Sequence, residues 1–248
     1  MSADVPQIQA RSRAEVPVRW RKEVERVLIT EGQIARRIRI MSRDIVRDFT
    51  GREMVIVSLL NGTVMFLADL IRHLSLPLRL DFIGVSSYGA GTESGDLVFT
   101  KELRLSVRER DVLLVDDILD TGKTLCRVGA KLRALKPRRI RTCVLLDKPA
   151  RRVEPVEADY VGFKIPDVFV VGYGLDFAER YRNLPFVGVL HPHVYKTASQ
   201  QVIAAPPGKP AGGADVGCPI SSQVARRHEC NGLFLFLFQG LDRLHPGH

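Results

Sequence analysis

The sequence predicts an α/β protein built around a central, mostly parallel sheet. Three observations carry that expectation. Apolar runs such as 54–60 (MVIVSLL) and 112–115 (VLLV) are of the kind that fills a strand covered on both faces. Between the runs, apolar residues return at helical spacing, as in Ile34, Ile38, Met41, Ile45 and Phe49. The two strongest runs end in polar, glycine-bearing turns that lead into the next helical pattern, the order of strand–helix–strand units with right-handed crossovers.

At 248 residues, 45% hydrophobic and 26% charged, the chain is long enough for one sizeable core with appendages. A net charge of +9 invites nucleic acid, but the basic residues are scattered in short clusters (Arg36-Arg37, Arg138-Arg139, Arg151-Arg152) between ordinary core segments. A solvated basic surface that draws in a polyphosphate substrate fits that scatter better. Cys126 and Cys143 lie in apolar periodic segments and read as buried free thiols of a reducing compartment. Cys218, His228 and Cys230 lack the spacing of a zinc finger. The N-terminus carries no apolar signal region, and no apolar run approaches the roughly 18 residues of a membrane span, so a cytoplasmic protein is expected.

In chain order, residues 1–22 are polar, carry Pro6 and Pro17, and are expected to form a loose leader. A short strand is expected at 24–28. Thr30 with Glu31 and Gln33 reads as a helix N-cap and its first turn, and Gly51 stops that helix. Strand 54–60 ends in Asn61-Gly62-Thr63, where glycine lets the backbone approach a ligand, and Phe66, Leu67, Leu70 and Ile71 continue as a helix face. A third strand is expected at 78–85. The Gly- and Ser-rich stretch that follows, to Asp96, is a long loop of the kind used as a lid, and 97–105 returns as a strand. Val128, Leu132 and Leu135 mark a helix ended by Pro137, and further strands are expected at 140–146, 160–163, 168–171 and 186–190. The domain thus spans 23–196. The remainder, 197–248, contains a Pro/Gly/Ala-rich stretch and an LFLFLF run, and is expected to be a disordered, aggregation-prone tail, foreign to the natural fold on one reading.

The chemistry concentrates in 112–125, VLLVDDILDTGKTL. Asp116 and Asp117 follow where the strand is expected to end, Asp120 comes three residues later, and Thr121-Gly122-Lys123-Thr124 leads into a helix. Such a turn offers N–H groups and hydroxyls to a phosphate at the carboxyl edge of the sheet, while the acids suit sugar hydroxyls or a metal. Gly122-Lys123-Thr124 ends like a nucleotide P-loop, but the partner glycine would have to be residue 117, an aspartate that repels a triphosphate. The P-loop is excluded. Acids that cap a buried strand beside a phosphate-type turn favour a phosphorylated sugar: carboxylates for ribose hydroxyls, residues 120–124 for the 5′-phosphate.

This stretch resembles the phosphoribosyl pyrophosphate signature of type I phosphoribosyltransferases. With DFIGVSSYG (81–89), LLDKPARR (145–152) and GFKIPDVFVVGYGLDFAERYRNLP (162–185), in order over about 24–192, it resembles the hypoxanthine (hypoxanthine-guanine) subfamily. The resemblance implies the type I phosphoribosyltransferase fold: a mostly parallel sheet flanked by helices, a small hood and a flexible lid loop. It implies that Asp116 and Asp117 hold the ribose hydroxyls, Asp120 is the general base at the purine N7, and Thr121, Gly122, Lys123 and Thr124 ring the 5′-phosphate. Leu60, Asn61, Gly62 and Arg182 would meet the pyrophosphate. Lys148 would donate to the 6-oxygen and so select against adenine, Phe169 would stack on the base, and Val170 would offer its backbone to the base edge. Asp176 would lie by the purine and bind Mg2+, and Ser87 and Tyr88 would belong to the lid. On their own, Lys148 and Arg182 read as surface cations and Phe169 as core packing.

The family's Leu-Lys-Gly loop is here Leu60-Asn61-Gly62, which keeps backbone donors, expected in an unusual peptide geometry, but loses the lysine charge. The implied activity is transfer of the phosphoribosyl group from phosphoribosyl pyrophosphate to hypoxanthine or guanine, giving IMP or GMP and pyrophosphate in purine salvage. The expected assembly is a homodimer or homotetramer, with neither nucleic acid nor membrane as partner. Two alternatives stand beside it: a transferase preferring xanthine, and a phosphoribosyl-pyrophosphate-sensing regulator that binds RNA or DNA. Asn61 and the net charge favour the regulator; the purine-facing set of Asp120, Lys148, Phe169 and Asp176 opposes it.

Overall fold

A computed structural model describes residues 5–8, 16–87 and 97–195. The expected tail at 197–248 lies outside the described residues, as do Tyr88, most of the expected lid, Cys218, His228 and Cys230. In chain order the elements are β1 (Val24–Ile29), α1 (Glu31–Phe49), β2 (Met54–Leu60), α2 (Val64–Ile71), β3 (Leu78–Ser87), β4 (Leu97–Lys101), β5 (Asp111–Leu119), α3 (Lys123–Ala134), β6 (Arg139–Asp147), β7 (Tyr160–Lys164), β8 (Val170–Val171) and β9 (Val187–Leu190).

The main sheet runs β4-β3-β2-β5-β6-β7, parallel throughout except for the antiparallel β3–β4 pair. Its centre explains the apolar runs. Leu113 and Val115 of β5 face a cluster with Ile34, Ile38 and Phe49 of α1, and Val112 and Leu114 face another with Val128 and Leu132 of α3. β2 divides in the same way, Met54 and Ile56 to one side and Val55 and Val57 to the other. Strands buried on both faces have no polar alternation to show.

A second, antiparallel sheet in the order β1-β9-β8 forms the hood. The alternation of elements along the chain does not reveal it, because β1 and β9 pair across most of the domain. Parts of the stretch expected to be a loose leader pack on the body. Lys164 of β7 receives the 6–8 segment, its N–H donating to Pro6 O and its carbonyl accepting from Ile8 N, both at 3.3 Å. Val16 is buried, and Val18–Trp20 forms a 3-10 turn.

α1 begins as expected, with a reciprocal cap in which Gln33 N donates to Thr30 Oγ1 at 3.4 Å and Thr30 N donates to Gln33 Oε1 at 2.9 Å. β5 does not end at the aspartates as expected. Its ladder with β6 continues through Asp116↔Val144, Ile118↔Leu146 and Leu119↔Asp147, because β6 is long enough to pair the extra residues. β3 runs two residues past the expected end, its last residue Ser87 pairing with Leu97. β4 is shorter than expected because the Arg104 and Leu105 N–H groups turn to the Asp81 carboxylate, at 2.6 and 2.8 Å, instead of to a ladder. β8 keeps only two of its four expected residues. Cys143 is buried as expected, whereas Cys126 is partly exposed. Among the described residues, no helix is long and apolar enough to cross a membrane.

Candidate functional site

The carboxyl edge of β5 supplies the first groups. Asp116 is buried and Asp117 half-buried; Asp117 N donates to the Asp116 carboxylate at 3.0 Å, and Ile118 N to the Asp117 carboxylate at 2.8 Å. Burial, and next the charge of Asp117, push the Asp116 carboxyl well above the ordinary carboxylate range, while a hydrogen bond from Thr63 opposes them. Burial also raises Asp117, against the charge of Arg182.

The turn that follows is held from outside. Thr121 O accepts from Val153 N at 2.9 Å and Glu154 N at 3.0 Å. Gly122 caps α3 in the left-handed region (φ +87°), and a Cβ there would meet Arg152 and Glu154 side-chain atoms at 3.2 Å. With Gly122 so placed, the N-terminus of α3, a natural anion site, opens beside the carboxylates. A cavity of about 340 Å³ lies between this turn and the end of β2. It is lined by Leu60, Gly62 and Thr63 on one side and Asp116, Asp117, Asp120, Thr121, Gly122 and Thr124 on the other. Lys123, expected among the phosphate ligands, is exposed and does not line it.

The Leu60–Asn61 peptide is cis, and Asn61 is exposed. Three segments close on one another here without room for side chains. A Cβ on Gly62 would lie 1.8 Å from Asp117 Oδ2, and one on Gly174 (φ +99°) would lie 1.9 Å from Gly62 O. The 172–176 loop is thereby seated on the β2 turn. Arg182 is anchored on that loop: Nη1 lies 2.9 Å from both Asp176 Oδ1 and Gly174 O, and Nη2 lies 2.9 Å from Glu179. The second Asp176 oxygen accepts from Glu179 N at 3.0 Å.

Of the expected purine residues only Asp120 is in the wall of this cavity; Lys148, Phe169, Val170 and Asp176 are not. Lys148 is buried at the end of β6, its N–H donating to Leu119 O at 2.9 Å and its Nζ 3.7 Å from Asp167. Phe169 precedes β8 and is 37% exposed, and Val170 is buried in β8 opposite Val189. Asp120 is half-buried, 3.6 Å from Arg151 Nε. A second cavity of about 690 Å³, beyond Asp147 and Arg152 against β7, contains none of the expected residues.

Two residues escaped the sequence reading. Thr63 hydrogen-bonds Asp116. Arg152 joins the phosphate turn to the lysine segment: Nε donates to Asp120 O at 3.1 Å, Nη1 to Val156 O at 2.6 Å, and Nη2 pairs with the Asp147 carboxylate. Their only sequence signals were their places next to Gly62 and in LLDKPARR.

Among the described residues, no group of three or more His, Cys, Asp or Glu side chains is arranged to hold a metal alone. The carboxylates present do suit a hard cation shared with substrate oxygens and water, the usual mode for Mg2+, which needs only one or two protein carboxylates.

The phosphoribosyl transferase domain model matches residues 28–178. The chain is 43% identical over 176 residues to the hypoxanthine-guanine phosphoribosyltransferase of Bacillus subtilis, covering 71% of this chain and 98% of that one. It is 44% identical over 174 residues to the bifunctional protein TilS/HprT of Listeria innocua; there the match covers 70% of this chain but spans only 27% of the relative's length. The crystal structure of a hypoxanthine phosphoribosyltransferase from Staphylococcus aureus is similar at a TM-score of 0.69 and 43% identity, over 73% of this chain and 99% of that one. With a domain match over more than half its length, and the Bacillus subtilis and Staphylococcus aureus relatives covered almost end to end, the chain belongs to the phosphoribosyl transferase family, in the branch that holds the hypoxanthine-guanine phosphoribosyltransferases.

Proposed function

We propose that the protein transfers the 5-phosphoribosyl group of phosphoribosyl pyrophosphate to hypoxanthine or guanine, giving IMP or GMP and pyrophosphate in purine salvage. The observation that carries this reading is one cavity walled by a carboxylate pair and a helix-starting phosphate turn, with Gly174 packed against its wall residue Gly62. The names and identities of the relatives support the choice of base. The catalytic domain spans 23–196.

In the reaction, a purine nitrogen displaces pyrophosphate from the anomeric carbon through an oxocarbenium-like transition state. Asp116 and Asp117 orient the ribose by accepting from its hydroxyls, which also relieves their buried charge. Thr121, Gly122, Lys123 and Thr124 take the 5′-phosphate. Asp120 accepts the purine proton at N7. Lys148 donates to the 6-oxygen, Phe169 stacks on the ring and Val170 meets the base edge through its backbone. The Leu60–Gly62 backbone and Arg182 receive the leaving pyrophosphate, and Ser87 and Tyr88 belong to the lid that shuts out water. Mg2+, held by Asp176 with substrate oxygens and water, would supply charge neutralisation for the pyrophosphate. Most of the rate enhancement then comes from positioning and electrostatics.

A coupled assay of the purified protein with phosphoribosyl pyrophosphate, Mg2+ and each of hypoxanthine, guanine, xanthine and adenine tests this. Product with hypoxanthine or guanine is expected. No product with any base defeats the enzyme, and adenine alone defeats the role of Lys148.

A further inference from the structure

The stretch after β9 turns back on the base side of the site. Leu190 N donates to Phe169 O at 3.0 Å, fixing the Phe169 backbone to the end of β9. The chain then turns, with His191 N donating to Glu23 O at 2.9 Å and Val194 N to His191 O at 3.0 Å. That turn brings the Tyr195 ring onto Phe169, with centroids 4.9 Å apart and planes 16° apart, an offset stack. Phe177 meets the same Phe169 ring edge-to-face, at 5.5 Å and 89°. Phe169 nevertheless remains 37% exposed, so these two contacts do not cover the residue.

Resting on the purine-stacking role given to Phe169 above, we propose that Tyr195 is a positioning residue for the purine: its stack on one face of Phe169 holds the ring plane so that the other face receives the base. Phe169 lies just before a two-residue strand, and Tyr195 and Phe177 are the aromatic rings that contact it among the described residues. A base that stacks on a freely turning ring must immobilise it on binding, and a ring already clamped by Tyr195 and Phe177 spares that ordering loss. The stack on Phe169 is made by the aromatic face of residue 195.

The test is steady-state kinetics of the full-length chain as wild type, Tyr195→Ala and Tyr195→Phe, varying purine and phosphoribosyl pyrophosphate separately. Tyr195→Ala is expected to raise the KM for purine roughly three- to tenfold, the range of one aromatic pair. The KM for phosphoribosyl pyrophosphate and kcat should change less than about twofold, and Tyr195→Phe should behave as wild type. An unchanged purine KM overturns the proposal. So does a lowered one, which would mean that Tyr195 competes for the place of the base, or an equal rise for both substrates, which would mean general loosening. If Tyr195→Ala does not fold, Tyr195→Leu fills similar space without a π face and is read the same way. A wild type inactive with every base defeats the proposed reaction; calorimetric titration of wild type and Tyr195→Ala with IMP and GMP then decides the stacking role, and equal affinities, or no binding by either, overturn it.

Discussion

At Asp116 a carboxyl group is buried beside a second one, and its proton is held more tightly in the folded protein than in the unfolded chain. The folded state therefore binds more protons, and the stability of the ligand-free protein falls as pH rises from about 3.9, the ordinary aspartate value, towards the raised one. Asp116→Asn keeps the acceptor for Asp117 N and removes the charge. It is expected to raise Tm near neutral pH, flatten the fall of stability with pH and weaken activity, as read by melts across the acid-to-neutral range. A lower Tm near neutrality would contradict the account. Asp120 differs: its buried Oδ1 makes no hydrogen bond among the described residues and lies 3.6 Å from Arg151 Nε. Asp120→Ala should lower turnover by about 10²- to 10⁴-fold, the span of general acid–base catalysis, while the KM for phosphoribosyl pyrophosphate stays within a few-fold. Equal losses in both would exclude the base role. Residues 116–124 were legible because strand, acids, turn and helix are consecutive. Thr63 and Arg152 were not, because the site aspartates they bond, Asp116 and Asp120, lie 53 and 32 residues away in the chain.

At the scale of elements, the β3–β4 edge depends on Asp81. Burial works against its charge, but donors from Leu105 N, Phe82 N, Arg104 N and Lys101 Nζ hold its pKa down to about 2. A depressed carboxylate stabilises the fold above its unfolded value, near 3.9, and loses that contribution as pH falls towards 2. Asp81→Asn should therefore destabilise the protein by about 2 kcal/mol near neutrality and by little near pH 2, measured by denaturant titration at both ends. A loss independent of pH would point to packing and away from charge. None of this was visible in DFIGVSSYG, where Asp81 looked like an ordinary polar residue within a strand. The strands themselves were legible wherever burial on both faces forced an unbroken apolar run, as in β2 and β5. They were misjudged at their ends, where a distant partner such as β6 or the Asp81 carboxylate decides how far pairing continues.

For the whole molecule, the domain match ends at residue 178, and β9 with the turn to Tyr195 closes the described body. A chain ending at residue 197 is expected to keep its activity and its Tm, checked by the base-panel assay and by thermal melts. Lost activity or solubility would make 197–248 part of the working protein. Family membership was legible at this scale through several motifs in order, whereas the hood was not, since nothing local in Val24–Ile29 says that its partner is Val187–Leu190. That pairing has a consequence for how the chain is made. A ribosome delivers β1 first and β9 last of the described strands, so the hood cannot assemble until about 160 further residues have emerged. β2, β3 and β5, by contrast, are neighbours in the main sheet and leave the tunnel well before β9. The main sheet with its carboxylate turn can thus take shape on a nascent chain before the hood, which must wait for β9.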